Sequence, residues 1–141
     1  MSNFAERLKI LMNENEHNPY SLSVLLGISS SVVNNWLRPD CDPTLTNLIR
    51  LADLYDCSIE YLVGRSDDDT RCGFKPAPEF AVQLAKVIAD SEKSIYSVCK
   101  QAKISWTTFN SWRHGTIPKL SSLLPVSKAY GITIDALVGR E

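Results

Sequence analysis

Apolar residues in the first part of the chain recur at helical spacing. Phe4, Leu8, Leu11 and Met12 fall three or four apart, which predicts a helix over about 3–15. Asn18 before Pro19 marks the next helix start: the Asn side chain caps, and proline suits the first turn, where its missing N–H was unpaired anyway. That helix runs to Leu26 and stops at Gly27, a residue at ease in the left-handed conformation that ends helices. Ser29 is expected to cap a third helix over about 30–37. Leu45, Leu48, Ala52 and Tyr55 line one stripe of a fourth over about 44–56, and Ser58 caps a fifth that ends at Gly64. No stretch alternates like a strand, so the fold class is all-α.

The same pattern then returns. Phe4, Ala5, Leu8, Glu16, Tyr20, Ser21, Ile28, Ser29, Asn34 and Trp36 recur 76 residues later as Phe80, Ala81, Leu84, Glu92, Tyr96, Ser97, Ile104, Ser105, Asn110 and Trp112. One residue drops out, and Pro43, Leu45, Leu48, Tyr55, Ile59 and Leu62-Val63-Gly64-Arg65 recur 75 later, from Pro118 to Leu137-Val138-Gly139-Arg140. So many matches, in one order and with a single one-residue shift, indicate a duplicated unit. The division is a first domain over 1–65, a linker over 66–79 and a second domain over 80–141. Three adjacent aspartates and the prolines Pro76 and Pro78 make the linker extended and mobile by expectation. The sequence does not say where Phe74 packs.

The second copy keeps the plan with other caps, Ser94, Ser105 and Thr133. Two departures matter. Lys103 stands where Gly27 did, so the turn forms without glycine, at a cost of about 1 kcal/mol if the backbone is left-handed. Pro125 falls inside the fourth helix, where it removes a hydrogen bond and is expected to kink the helix.

Charge separates the copies more than hydropathy does. The net charge is −1, yet residues 1–70 hold 5 Lys+Arg and 11 Asp+Glu, a balance of −6, while residues 71–141 hold 10 and 5, a balance of +5. Such a split predicts unequal partners. The four cysteines show no C-x-x-C spacing, and neither His17 nor His114 sits at ligand spacing from a cysteine pair, so reduced thiols and no metal are expected. No apolar run approaches the roughly 20 residues of a membrane span, and no signal segment opens the chain, so a cytosolic location is expected.

Helix, glycine turn, helix is an arrangement that holds a second helix clear of the surface, where it can enter a major groove. Three kinds of residue lock the pair: a small one in the first helix (Ser23, Cys99), an apolar one after the turn (Ile28, Ile104) and two apolar ones three apart in the second (Val33 and Trp36; Phe109 and Trp112). The run from Tyr20 to Trp36, followed by Pro43 and then Leu48 to Tyr55, resembles the Cro/C1-type (XRE-like) helix-turn-helix family, and the second copy resembles it too. The resemblance implies two tandem five-helix, lambda-repressor-like domains that bind double-stranded DNA, in a bacterial or phage transcriptional regulator. It is not complete. The second copy lacks the turn glycine, the first has Pro39 where the family has a glycine that the second keeps as Gly115, and both lack the usual helix-2 alanine and the glutamine that opens that helix.

Carried over residue by residue, the reading face is Ser30, Ser31, Asn34, Asn35 and Arg38 in the first copy. In the second it is Trp106, Thr107, Asn110, Ser111 and His114, with Arg113 and the turn residue Lys103 beside them. An Asn amide can pair bidentately with adenine; hydroxyls serve bases or phosphates. Tyr20, Ser21, Tyr96 and Ser97 open the preceding helices as candidate phosphate contacts, with packing the alternative for the tyrosines. Trp106 faces out in place of Ser30, toward a thymine methyl or sugar or toward a protein.

No phosphate loop or catalytic triad repeats between the copies, so neither an enzyme nor a cofactor is expected. The competing reading is a protein-interaction module in which one or both copies have lost DNA, since phosphate attraction disfavours the acidic half. The last helix of each copy (Ile59, Tyr61, Leu62; Ile134, Ala136, Leu137) is the candidate surface for a homodimer or an intramolecular pseudo-dimer.

Overall fold

The computed structural model describes residues 3–141. The chain divides into two compact units, one built mainly on residues up to 72 and the other mainly on 73–141. Among the described residues there are ten helices and no strand. The first unit holds α1 (Asn3–Glu14), α2 (Pro19–Leu26), α3 (Ser30–Trp36), α4 (Leu45–Leu54) and α5 (Ile59–Leu62). The second holds α6 (Phe80–Asp90), α7 (Ile95–Ala102), α8 (Trp106–Arg113), α9 (Leu120–Tyr130) and α10 (Ile134–Val138).

Each unit closes around the repeated apolar residues. Phe4, Leu8, Leu22, Val33, Trp36, Leu48, Ile59 and Leu62 are buried in the first, and Phe80, Leu84, Val98, Phe109, Trp112, Leu123, Ile134 and Leu137 in the second. In the second, Trp112 meets Phe80 edge-on and tilts against Phe109, with ring centroids 6.3 and 5.7 Å away. These contacts fix α8 against α6 and hence the direction in which α8 projects.

Side-chain caps mark five of the helix starts. Asn18 Oδ1 accepts from Ser21 N, and Ser21 Oγ accepts from Asn18 N, a reciprocal capping box. Ser94, Ser105, Ser58 and Thr133 each cap through a hydroxyl. Ser29 occupies the cap position of α3 but makes no cap hydrogen bond; its hydroxyl lies 2.8 Å from that of Ser31 instead. The helix α9 runs through Pro125 from Leu120 to Tyr130.

Two left-handed turns recur in each unit, and glycine is exchanged between them. After α2 the turn is Gly27 (φ 67°), and after α7 it is Lys103 (φ 58°). After α4 the position is Asp56 (φ 48°), and after α9 it is Gly131 (φ 69°). At these two turns each unit therefore carries one side chain in a region that costs about 1 kcal/mol without glycine, and the first unit has a further one at Glu16 (φ 56°).

The repeated Leu-Val-Gly-Arg run has a structural cause. Arg140 is fully buried and donates from Nη1 to Asp135 Oδ1 at 2.6 Å, with Asp135 fully buried as well. In the first unit Arg65 grips Glu60 through Nε (2.7 Å) and Nη2 (2.6 Å), but the Arg65 side chain is 32% exposed. The glycine before each arginine is a point of close approach. A Cβ on Gly64 would lie 2.3 Å from Asn3 Cβ, and one on Gly139 2.7 Å from Pro78 Cδ.

Arginines also hold the connecting segment. Arg7 donates to the carbonyls of Tyr61 (2.9 Å) and Ser66 (3.1 Å), pairs with Asp67, and lies over the Tyr61 ring. At the other end the Arg140 guanidinium sits 4.5 Å from the Phe74 ring centre, and Lys75 N donates to Arg140 O at 2.9 Å. Phe74 thus has its packing partner, and the stretch from Phe74 is held against the end of the second unit.

A tyrosine near the end of the fourth helix of each unit shows how the repeats diverged. Tyr55 OH lies 2.8 Å from His17 Nδ1, and burial, reinforced by the Cys57 thiol, pushes the Tyr55 hydroxyl up to about 12. Tyr130 OH is buried with no hydrogen-bond partner among the described residues, and burial raises its pKa too. Lys93 takes the place of His17 and donates to Ala129 O instead.

Candidate nucleic-acid interface

The helices α2 and α3, and α7 and α8, form the two helix-turn-helix pairs. Ser23 and Cys99, the small residues facing the second helix, are buried, as are Val33, Trp36, Phe109 and Trp112. The turns close through Ile28 N to Ser23 O (3.0 Å) and Ile104 N to Cys99 O (3.1 Å). In the first unit Arg50 adds a bond to the Leu26 carbonyl at the end of α2. Pro125 stands at the matching position of the second unit and supplies no such donor.

With the cores of α3 and α8 turned inward, their other faces point out. Ser30, Ser31, Asn34, Asn35 and Arg38 are all exposed. In the second unit Trp106, Thr107, Arg113 and His114 are exposed, while Asn110 and Ser111 are half-buried. Ser111 Oγ donates to Thr108 O (2.6 Å) and His114 Nδ1 to Asn110 O (2.8 Å), so these two groups are already oriented along α8. The Asn110 side-chain amide stays separate from both bonds.

The residues that open α2 and α7 behave differently from one another. Tyr20 and Tyr96 are 72% and 75% exposed, which settles them as outward-facing rather than packing residues. Ser21 and Ser97 spend their hydroxyl protons on the carbonyls of Asn18 (3.1 Å) and Ser94 (3.0 Å), within the caps. Each hydroxyl has one proton, so neither serine can donate to a phosphate without breaking its cap bond.

Electrostatics divides the faces. In the first unit Arg7, Arg50 and Arg65 are engaged within the unit, and Arg38 is followed by the exposed Asp40 and Asp42. In the second, Lys100, Lys103 and Arg113 are exposed around the motif, and no acid lies between Arg113 and Pro118. The outer side of α2 is apolar, with Val24 61% and Leu25 56% exposed; α7 carries Lys100 and Gln101 there.

The apolar residues of the last helices are turned inward. Ile59, Tyr61, Leu62, Ile134 and Leu137 are buried and Ala136 is half-buried. Among the described residues no group of three His, Cys, Asp or Glu side chains could hold a metal ion, and no helix is long and apolar enough to cross a membrane.

Comparison with known proteins agrees with this geometry. The model of the Cro/C1-type HTH DNA-binding domain matches twice, over residues 7–68 and 83–141, one match per helix-turn-helix pair. An uncharacterized HTH-type transcriptional regulator of Haemophilus influenzae is 29% identical over 76 residues, which are 53% of this chain. The match spans only 31% of that relative's length. No solved structure matches.

Proposed function

The chain belongs to the Cro/C1-type helix-turn-helix DNA-binding family, and on that premise we propose that it is a sequence-specific transcriptional regulator whose two copies do unequal work. The second copy supplies most of the phosphate attraction through Lys100, Lys103 and Arg113, and reads bases with Trp106, Thr107 and Asn110. The first copy reads more weakly through Ser30, Ser31, Asn34, Asn35 and Arg38. Tyr20 and Tyr96 extend toward the backbone from the opening of α2 and α7. The observation that carries this is the pair of outward faces on one fold, one with Lys100, Lys103 and Arg113 exposed on its two helices and turn and the other followed by Asp40 and Asp42. Double-stranded DNA is the partner, in the cytoplasm, and no catalytic step is involved. Joining two readers in one chain raises the local concentration of the weaker to about millimolar if the connection is short and flexible.

The test is a salt titration of duplex binding by the full chain. Each phosphate contact contributes about 0.9 to the slope of log affinity against log salt. Replacing Lys100, Lys103 and Arg113 by Ala lowers that slope by about 3 if all three meet phosphates, and Arg38→Ala lowers it by about 1 at most. Equal slopes for wild type and the triple variant overturn the assignment.

A second reading for the first copy has its own observation. The exposed Val24 and Leu25 on α2 suit a protein contact better than a polyanion. Val24→Lys with Leu25→Gln, the residues of the second copy, leaves DNA binding intact or improves it, while abolishing capture of any such protein.

A further inference from the structure

The front of the second helix-turn-helix pair carries a groove of about 520 Å³, lined by Ile95, Tyr96, Cys99, Lys100, Ile104 and Trp106. It lies between the opening of α7, which the proposed reading places by the DNA backbone, and the first residue of the reading helix α8. The lining is apolar apart from one cation, and two of its walls are exposed aromatic side chains: Tyr96 and, at 55%, Trp106. The first copy has Pro19, Tyr20, Ser23, Val24, Ile28 and Ser30 at the matching positions. The tyrosine is common to both copies, so what sets the second apart is Trp106 and the cation Lys100.

We propose that this groove reads thymine in duplex DNA, taking the C5-methyl and adjoining deoxyribose against Trp106 and Ile104 and the flanking phosphate on Lys100. The inference rests on the DNA-reading function proposed above. Thymine is distinguished from cytosine in the major groove by its methyl group and its O4 acceptor, and only an apolar surface rewards the methyl. Lys100 at the rim complements the charge of a backbone that the tyrosine side of the groove would face. The groove is larger than a methyl with its sugar, which would occupy only the part beside Trp106 and Ile104, and its single cation suits one phosphate.

The experiment uses the full chain and a duplex selected from random DNA. Each thymine in turn is replaced by deoxyuridine, which removes the methyl and nothing else. At one or two positions wild type is expected to lose affinity about fourfold, the worth of one buried methyl. Trp106→Ser, which installs the residue of the first copy at an exposed position, binds the thymine and uracil duplexes alike. Lys100→Ala weakens both and keeps their ratio. Trp36 and Trp112 are 4% and 2% exposed, so acrylamide quenching reports mainly on Trp106 and should fall when the duplex binds. If the duplex binds with no uracil effect, or with the same effect in Trp106→Ser, the thymine assignment is overturned while the regulator reading stands. If Trp106 stays open to acrylamide in the complex, the duplex does not enter the groove and the thymine assignment is overturned. If no duplex binds at low salt, both readings fail together.

Discussion

The two units share a core and a helix order, yet differ at many positions where a side chain faces water and at two strained turns. Phe4 and Phe80, Trp36 and Trp112, and Leu62 and Leu137 are buried alike. Val24 and Lys100, Ser30 and Trp106, and Asp42 and Ile117 have nothing in common but their position. A packed interior tolerates little change of volume, whereas an exposed position is answerable only to its partner. The lesson is that the interior records shared origin and the exterior records separate work.

The strongest way to break this comparison is through the acid–arginine pair that ends each unit. In the second unit both partners are fully buried, so Arg140→Ala strands the Asp135 carboxylate and should cost about 3–5 kcal/mol. The same change at Arg65 leaves the buried Glu60 without its guanidinium, but Arg65 is partly exposed and water can reach the site, so the cost should be smaller, about 1–3 kcal/mol. Urea unfolding of both variants checks this, and equal losses would show that exposure does not separate the pairs.

The reading faces come next. Asn110→Ala is expected to relax base preference by about 1–3 kcal/mol at one position, while Lys103→Ala weakens all duplexes alike. Binding measured on a panel of single-base variants separates the two, and uniform losses from both would remove Asn110 from base reading.

The tyrosine pair predicts opposite signs. Tyr55→Phe loses the bond to His17 and should cost about 1 kcal/mol, whereas Tyr130→Phe removes a buried hydroxyl without a partner and should be neutral or stabilising by about 1 kcal/mol. Thermal melts read both. The pH dependence follows from the raised pKa of Tyr55. Its neutral form is favoured in the folded state, so its contribution is complete below pH 10 and is lost as pH rises toward about 12. Tyr55→Phe removes that part of the alkaline loss.

The smallest effects concern the exchanged glycines. Lys103→Gly and Asp56→Gly should each stabilise by up to about 1 kcal/mol, and Gly27→Ala and Gly131→Ala should each destabilise by about as much. Chemical denaturation of the four variants would show whether the turns are interchangeable.

Much of the fold was legible in the sequence because period and capping are local signals. The spacing of Phe4, Leu8, Leu11 and Met12 and the Asn18-Pro19 start needed no tertiary knowledge. The left-handed Lys103 was legible as well, through its alignment with Gly27. Other features were written down but went unread. Asn18 and Ser21 are three apart, the spacing of a capping box, and in that geometry the Ser21 hydroxyl offered as a phosphate contact donates to Asn18 O. Glu60 and Asp135 align five residues before Arg65 and Arg140, a shared acid that explains why the arginine recurs. The hydroxyl of Ser29 turning to Ser31 had no sequence signal, since both rotamers suit an exposed serine. The groove beside Trp106 was beyond reach for a different reason: it gathers residues from two helices and the turn between them, and only their packing makes a concave surface.

A symmetric dimer reads a palindrome and cannot tell one strand direction from the other. A single polypeptide that reads, as proposed, with Ser30, Ser31 and Asn34 on one face and Trp106, Thr107 and Asn110 on the other would have no such indifference. Its binding site would have a left and a right, and inverting that site within a promoter would turn the bound protein end for end. Orientation, and not only address, would then be part of what the DNA tells the protein.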